Sequence, residues 1–116
     1  MENTGKGKFE LWPLPEMAQL SMINGFVFDD FTGDDSKNIL AAGNFYPYKV
    51  SLGKSDASFG TLLNFKDKKM SIDENNGKLW LTGDIRDIGI MQFKNGAKRI
   101  VVSRNDDKAG IFRYSN

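Results

Sequence analysis

The stretch Gly25-Phe26-Val27-Phe28-Asp29-Asp30-Phe31-Thr32-Gly33-Asp34-Asp35-Ser36-Lys37-Asn38-Ile39-Leu40-Ala41-Ala42-Gly43-Asn44 decides the fold. It opens on a short apolar run, crosses a polar segment of Asp, Thr, Gly, Ser and Asn, and returns to an apolar run at Ile39. Two such runs bounded by turn-forming residues read as paired strands. The pattern then comes back. Asp87-Ile88-Gly89-Ile90-Met91-Gln92-Phe93 lies over Gly25 to Phe31, and Arg99-Ile100-Val101-Val102-Ser103-Arg104-Asn105 lies over Asn38 to Asn44, with one residue fewer in the second connecting loop. Asn3-Thr4-Gly5-Lys6-Gly7-Lys8-Phe9 is echoed by Asn75-Asn76-Gly77-Lys78-Leu79. A strand, polar turn, strand unit is therefore present twice.

Outward from these copies the apolar residues stay in short runs between Gly, Asn, Asp and Lys clusters. The expected strands are Lys8 to Leu14, Gly25 to Phe31, Asn38 to Phe45, Phe59 to Phe65, Met70 or Leu79 to Thr82, Asp87 to Phe93, Arg99 to Arg104 and Ile111 to Tyr114. About eight short antiparallel strands at this spacing indicate an all-β chain, either propeller-blade-like sheets or, alternatively, a β-sandwich. One unit spans 1–116, made of two repeats at about 25–82 and 87–114 with a leading strand at 8–14. Pro15 to Met22 is the one segment with a helical start, Pro standing near the first helical position. Lys66-Asp67-Lys68-Lys69, Asn75-Asn76-Gly77, Lys94-Asn95-Gly96 and Asn105-Asp106-Asp107-Lys108 read as hairpin turns, the basic cluster at 66–69 being a solvated turn.

Composition removes whole classes of chemistry. The chain has no Cys and no His, so disulfides, Ser-His-Asp and Cys-His nucleophiles and nearly every zinc site are excluded. Sixteen Lys and Arg against fifteen Asp and Glu give a formal charge of +1, which supplies no electrostatic case for nucleic acid. No apolar run has the length of a membrane-spanning helix, and Met1 to Phe9 carries no apolar leader pattern.

The segment from Val27 to Leu40 resembles the FG-GAP or VCBS repeat, whose pattern is an apolar strand, an Asp- and Gly-rich turn, then a second apolar strand. The stretch at 3–9 resembles the outer-strand part of that repeat. Gly43-Asn44-Phe45, Ser55 to Gly60 and Gly83 to Asp87 resemble the C-terminal portion of large secreted or surface bacterial proteins of this kind. The resemblance implies a partial β-propeller, calcium in the Asp-rich turn, and an extracellular or bacterial cell-surface location. Since two blades do not close a ring, the chain reads as a piece of a larger wheel. Its leading strand 8–14 is expected to pair beside Ile111 to Tyr114, or else the open edges favour a strand-exchanged dimer.

Asp30, Thr32, Asp34, Ser36 and Asn38 place oxygen-bearing side chains at every second position, a spacing that lets a tight loop turn them inward around a hard cation. Only two are carboxylates, and Asp35 replaces the glycine that eases the turn. The residues themselves thus favour a solvated Asx-type turn, or a weak calcium site at most, and no other cofactor. In the second copy the matching positions are Gln92, Lys94, Gly96 and Lys98, which repel a cation. Tyr46, Tyr48, Trp12 and Trp80 are candidate ligand-binding aromatics, because their rigid faces stack on sugars or anchor protein interfaces. Asp56 with Asp84 or Asp87 could supply a carboxylate pair, but Asp84-Ile85-Arg86-Asp87 reads better as an ion-paired turn. The sum is a non-catalytic binding or structural module of a larger repeat protein, contacting protein, glycan or neighbouring repeats. The alternatives are a free-standing carbohydrate-binding β-sandwich and a carboxylate-dependent glycosidase or lyase.

Overall fold

The computed structural model describes residues 1–44, 59–76, 78 and 80–114. The protein is all-β, with antiparallel sheets of two, four and three strands, none of them closed. Strands β1 (Glu2–Gly5) and β2 (Lys8–Glu10) form a hairpin of their own. A 3-10 turn at Glu16–Gln19 follows Pro15, whose fixed φ starts it. The first large sheet is the meander β3 (Ile23–Asp29), β4 (Asn38–Gly43), β5 (Thr61–Lys66) and β6 (Lys69–Ile72). The second is β7 (Ile85–Gln92), β8 (Lys98–Arg104) and β9 (Gly110–Arg113). The β5–β6 turn holds Asp67 and Lys68 at φ 51° and 60°, the left-handed pair whose twist suits a two-residue hairpin.

The two large sheets are built on one register. Phe26 stands opposite Ala41 and Phe28 opposite Ile39, as Ile88 stands opposite Val102 and Ile90 opposite Ile100. Each first strand carries an irregularity at its start, between Ile23 and Gly25 and between Ile85 and Asp87. A hydrogen bond repeats as well: the Asn44 N–H donates to the Met22 carbonyl and the Asn105 N–H to that of Asp84. Along the third strands Leu63 opposes Ile39 as Phe112 opposes Ile100.

The core lies between these sheets. From the first come Val27, Leu40, Ala42 and Leu62; from the second come Ile88, Ile90, Ile100, Val102 and Phe112, with Phe31, Leu81, Ile85 and Tyr114 filling the ends. Because side chains alternate along a strand, Phe26, Phe28, Ile39, Leu63 and Phe65 stand on the first sheet's other face. In register these match Ile88, Ile90, Ile100, Phe112 and Tyr114, so the second sheet turns inward the face that the first turns outward. At the core rim Asp29 closes the seam: the Lys98 ammonium donates to both its carboxylate oxygens at 2.8 and 2.7 Å, and the Tyr114 hydroxyl donates to one of them.

One expectation is corrected. Residues 8–14 do not extend as one strand and do not complete the second sheet: β2 ends at Glu10 and pairs with β1, while Trp12 and Leu14 lie along the first sheet's outward face. Lys8-Phe9-Glu10 offers no apolar face to a partner edge, all three being exposed, so nothing holds it against β9. Of the two candidates for the strand after Phe65, the one at Met70 is formed, as Lys69–Ile72, the fourth strand of the first sheet. The left-handed turn at Asp67 and Lys68 returns the chain at once, and Leu81 and Ile85 then plug the core between sheets, both fully buried.

Candidate interaction surfaces

The loop between β3 and β4 brings all five expected oxygen-bearing side chains together. The Thr32 hydroxyl lies 3.4 Å from Asp30 Oδ1, 2.7 Å from Asp34 Oδ1 and 3.5 Å from Asn38 Oδ1, and the Ser36 hydroxyl donates to Asp34. The carboxylates are engaged with the loop's own N–H groups. Asp30 accepts from the N–H groups of Thr32, Gly33 and Asp35, and Asp34 from that of Ser36. Asn38, buried, accepts from the Phe31 N–H and donates to Asn64 at 2.6 Å. This is an Asx-type turn braced by its own side chains. Among the described residues no group of three or more carboxylates stands close enough to hold a metal ion. The loop offers two carboxylates, whereas calcium takes six to eight oxygens and does better with several carboxylates among them. Melting in millimolar calcium is accordingly expected to coincide with melting in chelator; a rise of several degrees would show that these oxygens take the ion.

The same bonds set an acid response. The Ser36 hydroxyl, then that of Thr32, hold the Asp34 carboxyl down at about 2, and the Gly33 N–H leads the groups that lower Asp30. Burial alone would raise Asp29, but the Lys98 ammonium and the Tyr114 hydroxyl outweigh it and the carboxyl ends below its ordinary value. All three groups are lowered in the folded chain, so their contribution is present above the unfolded carboxylate value near 4 and is lost as pH falls toward 2. Stability is expected to be flat from about pH 7 to 5 and to fall steeply between roughly pH 4 and 2. Urea midpoints across that range check it, and Ser36→Ala, which returns Asp34 toward its ordinary value, should lower stability above pH 4 and make the fall between pH 4 and 2 shallower.

The expected aromatic sites are not gathered into one place. Tyr46 and Tyr48 lie outside the described residues, as does Asp56. Trp12 is half-buried and its indole N–H donates to the Glu2 carboxylate at 3.1 Å. Trp80 is exposed and stacks on Phe59, ring centres 4.3 Å apart and planes at 16°, so each ring already has one face occupied. Asp84 and Arg86 pair at 2.9 Å, and Asp87 accepts the N–H of Ile88; the ion pair its sequence suggests is formed, but at the start of β7, which already includes Ile85 to Asp87, and not in a turn.

Two concavities stand out among the described residues. One, of about 250 Å³, opens at the seam between the sheets, with Phe31, Leu40 and Leu62 as floor and Thr32, Asn75, Lys78 and Arg113 on the rim. Part of its polar rim is committed inward: Asn76 Oδ1 accepts the Leu62 N–H, and Lys78 donates to Asn75. The other is a groove along the first sheet's outward face, of about 350 Å³ where Leu14, Phe26, Phe28, Ile39 and Met70 line it with no polar surface. It continues past Lys37 and Phe65 to Trp12 and Met1. Phe26 and Phe28 meet edge to face at 5.6 Å and stay 59% and 57% exposed, with Phe65 at 50%.

Sequence reasoning passed over this face. The signal was there: Phe26-Val27-Phe28, Ile39-Leu40-Ala41-Ala42 and Leu62-Leu63 are unbroken apolar runs, the mark of strands covered on both faces rather than one. Searches of protein families, curated proteins and solved structures find no match to this chain.

Proposed function

We propose that the chain is a non-catalytic binding or structural module of a larger repeat-built protein, working through contact with other protein surfaces. The observation that carries this reading is the outward face of the first sheet, where three large aromatic side chains stand half exposed around an apolar groove. A contiguous patch of this kind, on a sheet whose opposite face is a finished core, is the usual mark of an interaction surface. The FG-GAP or VCBS resemblance agrees with it and adds a secreted or cell-surface setting. Catalysis has little support, because Asp29 is engaged by Lys98, Asp87 by a backbone N–H, and Asp84 is buried with one oxygen on Arg86.

The test is direct. The unmodified chain should enhance the fluorescence of anilinonaphthalene sulfonate while fully folded, and Phe28→Lys should remove most of the enhancement. Its unfolding midpoint should stay within about 0.5 kcal/mol, as for a surface substitution. A folded chain that leaves the dye dark would overturn the reading. So would turnover of a polysaccharide that disappears in Asp56→Asn.

A further inference from the structure

The open face has a covered counterpart inside the same molecule. By the shared register, Phe26, Phe28, Ile39 and Leu63 occupy in the first sheet the places that Ile88, Ile90, Ile100 and Phe112 occupy in the second. The second set is packed against Val27, Leu40, Ala42 and Leu62. The correspondence extends to charge. Lys98, which grips Asp29 across the seam, matches Lys37, and Lys37 lies exposed at the rim of the open groove. One chain thus shows a filled socket and a second of the same design that the segment at Trp12 and Leu14 covers in part, Leu63 and Ala41 being buried there while Phe26, Phe28 and Phe65 stay half exposed.

We propose that the outward face of the first sheet is the seat of a further sheet of this same repeat, one presenting an apolar Val/Leu/Ala-type face and a carboxylate at the end of its first strand that closes on Lys37. The inference rests on the module reading above and names the chemistry of the partner.

A second copy of this chain cannot supply that face. Its Asp29 side is already covered by its own second sheet, and its other free face replaces Asp29 with Met91 and adds Arg99 and Arg113. Head-to-tail stacking would bring those guanidinium groups toward Lys37, a like-charge contact that disfavours a filament. An open apolar face is where a repeat array can continue.

The experiment uses the full chain with residues 23–84 duplicated in frame, so that the inserted sheet offers its open face to the Asp29 face of the sheet before it. Urea unfolding should show one cooperative transition. Lys37→Glu in the inserted copy should lower the midpoint about as much as Lys98→Glu does in the unmodified chain, and Asp29→Lys in the preceding copy should restore most of the loss. In the unmodified chain Lys37→Glu should leave the midpoint unchanged.

A tandem chain that melts in two steps, or loses its added sheet to limited proteolysis, would overturn the proposal. A cooperative tandem in which inserted Lys37→Glu is silent would overturn the carboxylate chemistry and leave the module reading standing. Concentration-dependent dimerisation of the unmodified chain that Phe28→Lys abolishes would instead make a second copy the occupant. A dark dye experiment would remove the open face itself, and with it the module reading.

Discussion

Gly43→Ala is expected to cost the protein about 3 kcal/mol or more, a large share of the roughly 5–15 kcal/mol that holds a domain folded. A methyl carbon added at Gly43 would stand 1.8 Å from the Met22 carbonyl oxygen and 2.7 Å from its carbon. Neither is the tip of a flexible side chain. That oxygen is fixed because it accepts the Asn44 N–H at 3.0 Å, and Asn44 is itself locked, fully buried, with its side chain accepting from Ser21 and donating to the Gly83 carbonyl. The chain crosses too tightly for any Cβ, so relief requires moving the end of β4 away from the residue that leads into β3. Gly89→Ala is the control, since nothing lies within 4 Å of the added atom; it should change the urea midpoint by less than about 0.5 kcal/mol. Equal losses in the two variants would contradict the account of the crossing.

Asp29→Ala comes second, at about 2 kcal/mol. The carboxylate ends β3 and receives Lys98 from the start of β8 and Tyr114 from beyond β9, so one residue ties three segments across the seam. Its removal strands an ammonium group and a phenol hydroxyl that have given up water to be there, and the cost of leaving them unpaired exceeds the net value of the bonds. Burial and the neighbouring carboxylate push the Tyr114 hydroxyl well above its ordinary value, so it stays a neutral donor at any pH where the chain is folded. Asp29→Asn keeps an acceptor for Tyr114 and should lose about half as much. The charge contribution can be isolated with Lys98→Met: if the two positions are coupled as the distances say, the Asp29→Ala, Lys98→Met pair should cost clearly less than the sum of the singles. Strict additivity would contradict the bridge.

Much of the architecture was written in the pattern of apolar runs. The alignment of 25–31 on 87–93 and of 38–44 on 99–105 carries strand identity, pairing and bulge position together, because a period-two register admits no partial slip. The turn at 30–38 was legible for the same reason: side chains alternating around a tight loop must converge. Less visible was the fate of the ends. A count of strands per sheet points residues 8–14 to an edge, whereas Lys8, Phe9 and Glu10 bury nothing that could hold them there, and edge pairing without a packed face is weak. The last strand of the first sheet was placed between two candidates because Met70 and Leu79 are equally apolar. The choice was made by Asp67 and Lys68 adopting left-handed backbone, which no sequence rule demands of them. The open face escaped notice because attention to one buried side hides a strand that is apolar on both.

The duplication and its packing are the centre of the account, and long-range methyl NOEs measure them most directly. Val27 and Leu40 methyls should show contacts to those of Ile88, Ile100 and Val102 across the seam, while Ile39 and Leu63 methyls should show none to the second sheet. Contacts from Ile39 or Leu63 to Ile88, Ile100 or Val102 would put the wrong face of the first sheet inward and contradict the equivalence on which the socket at Lys37 depends.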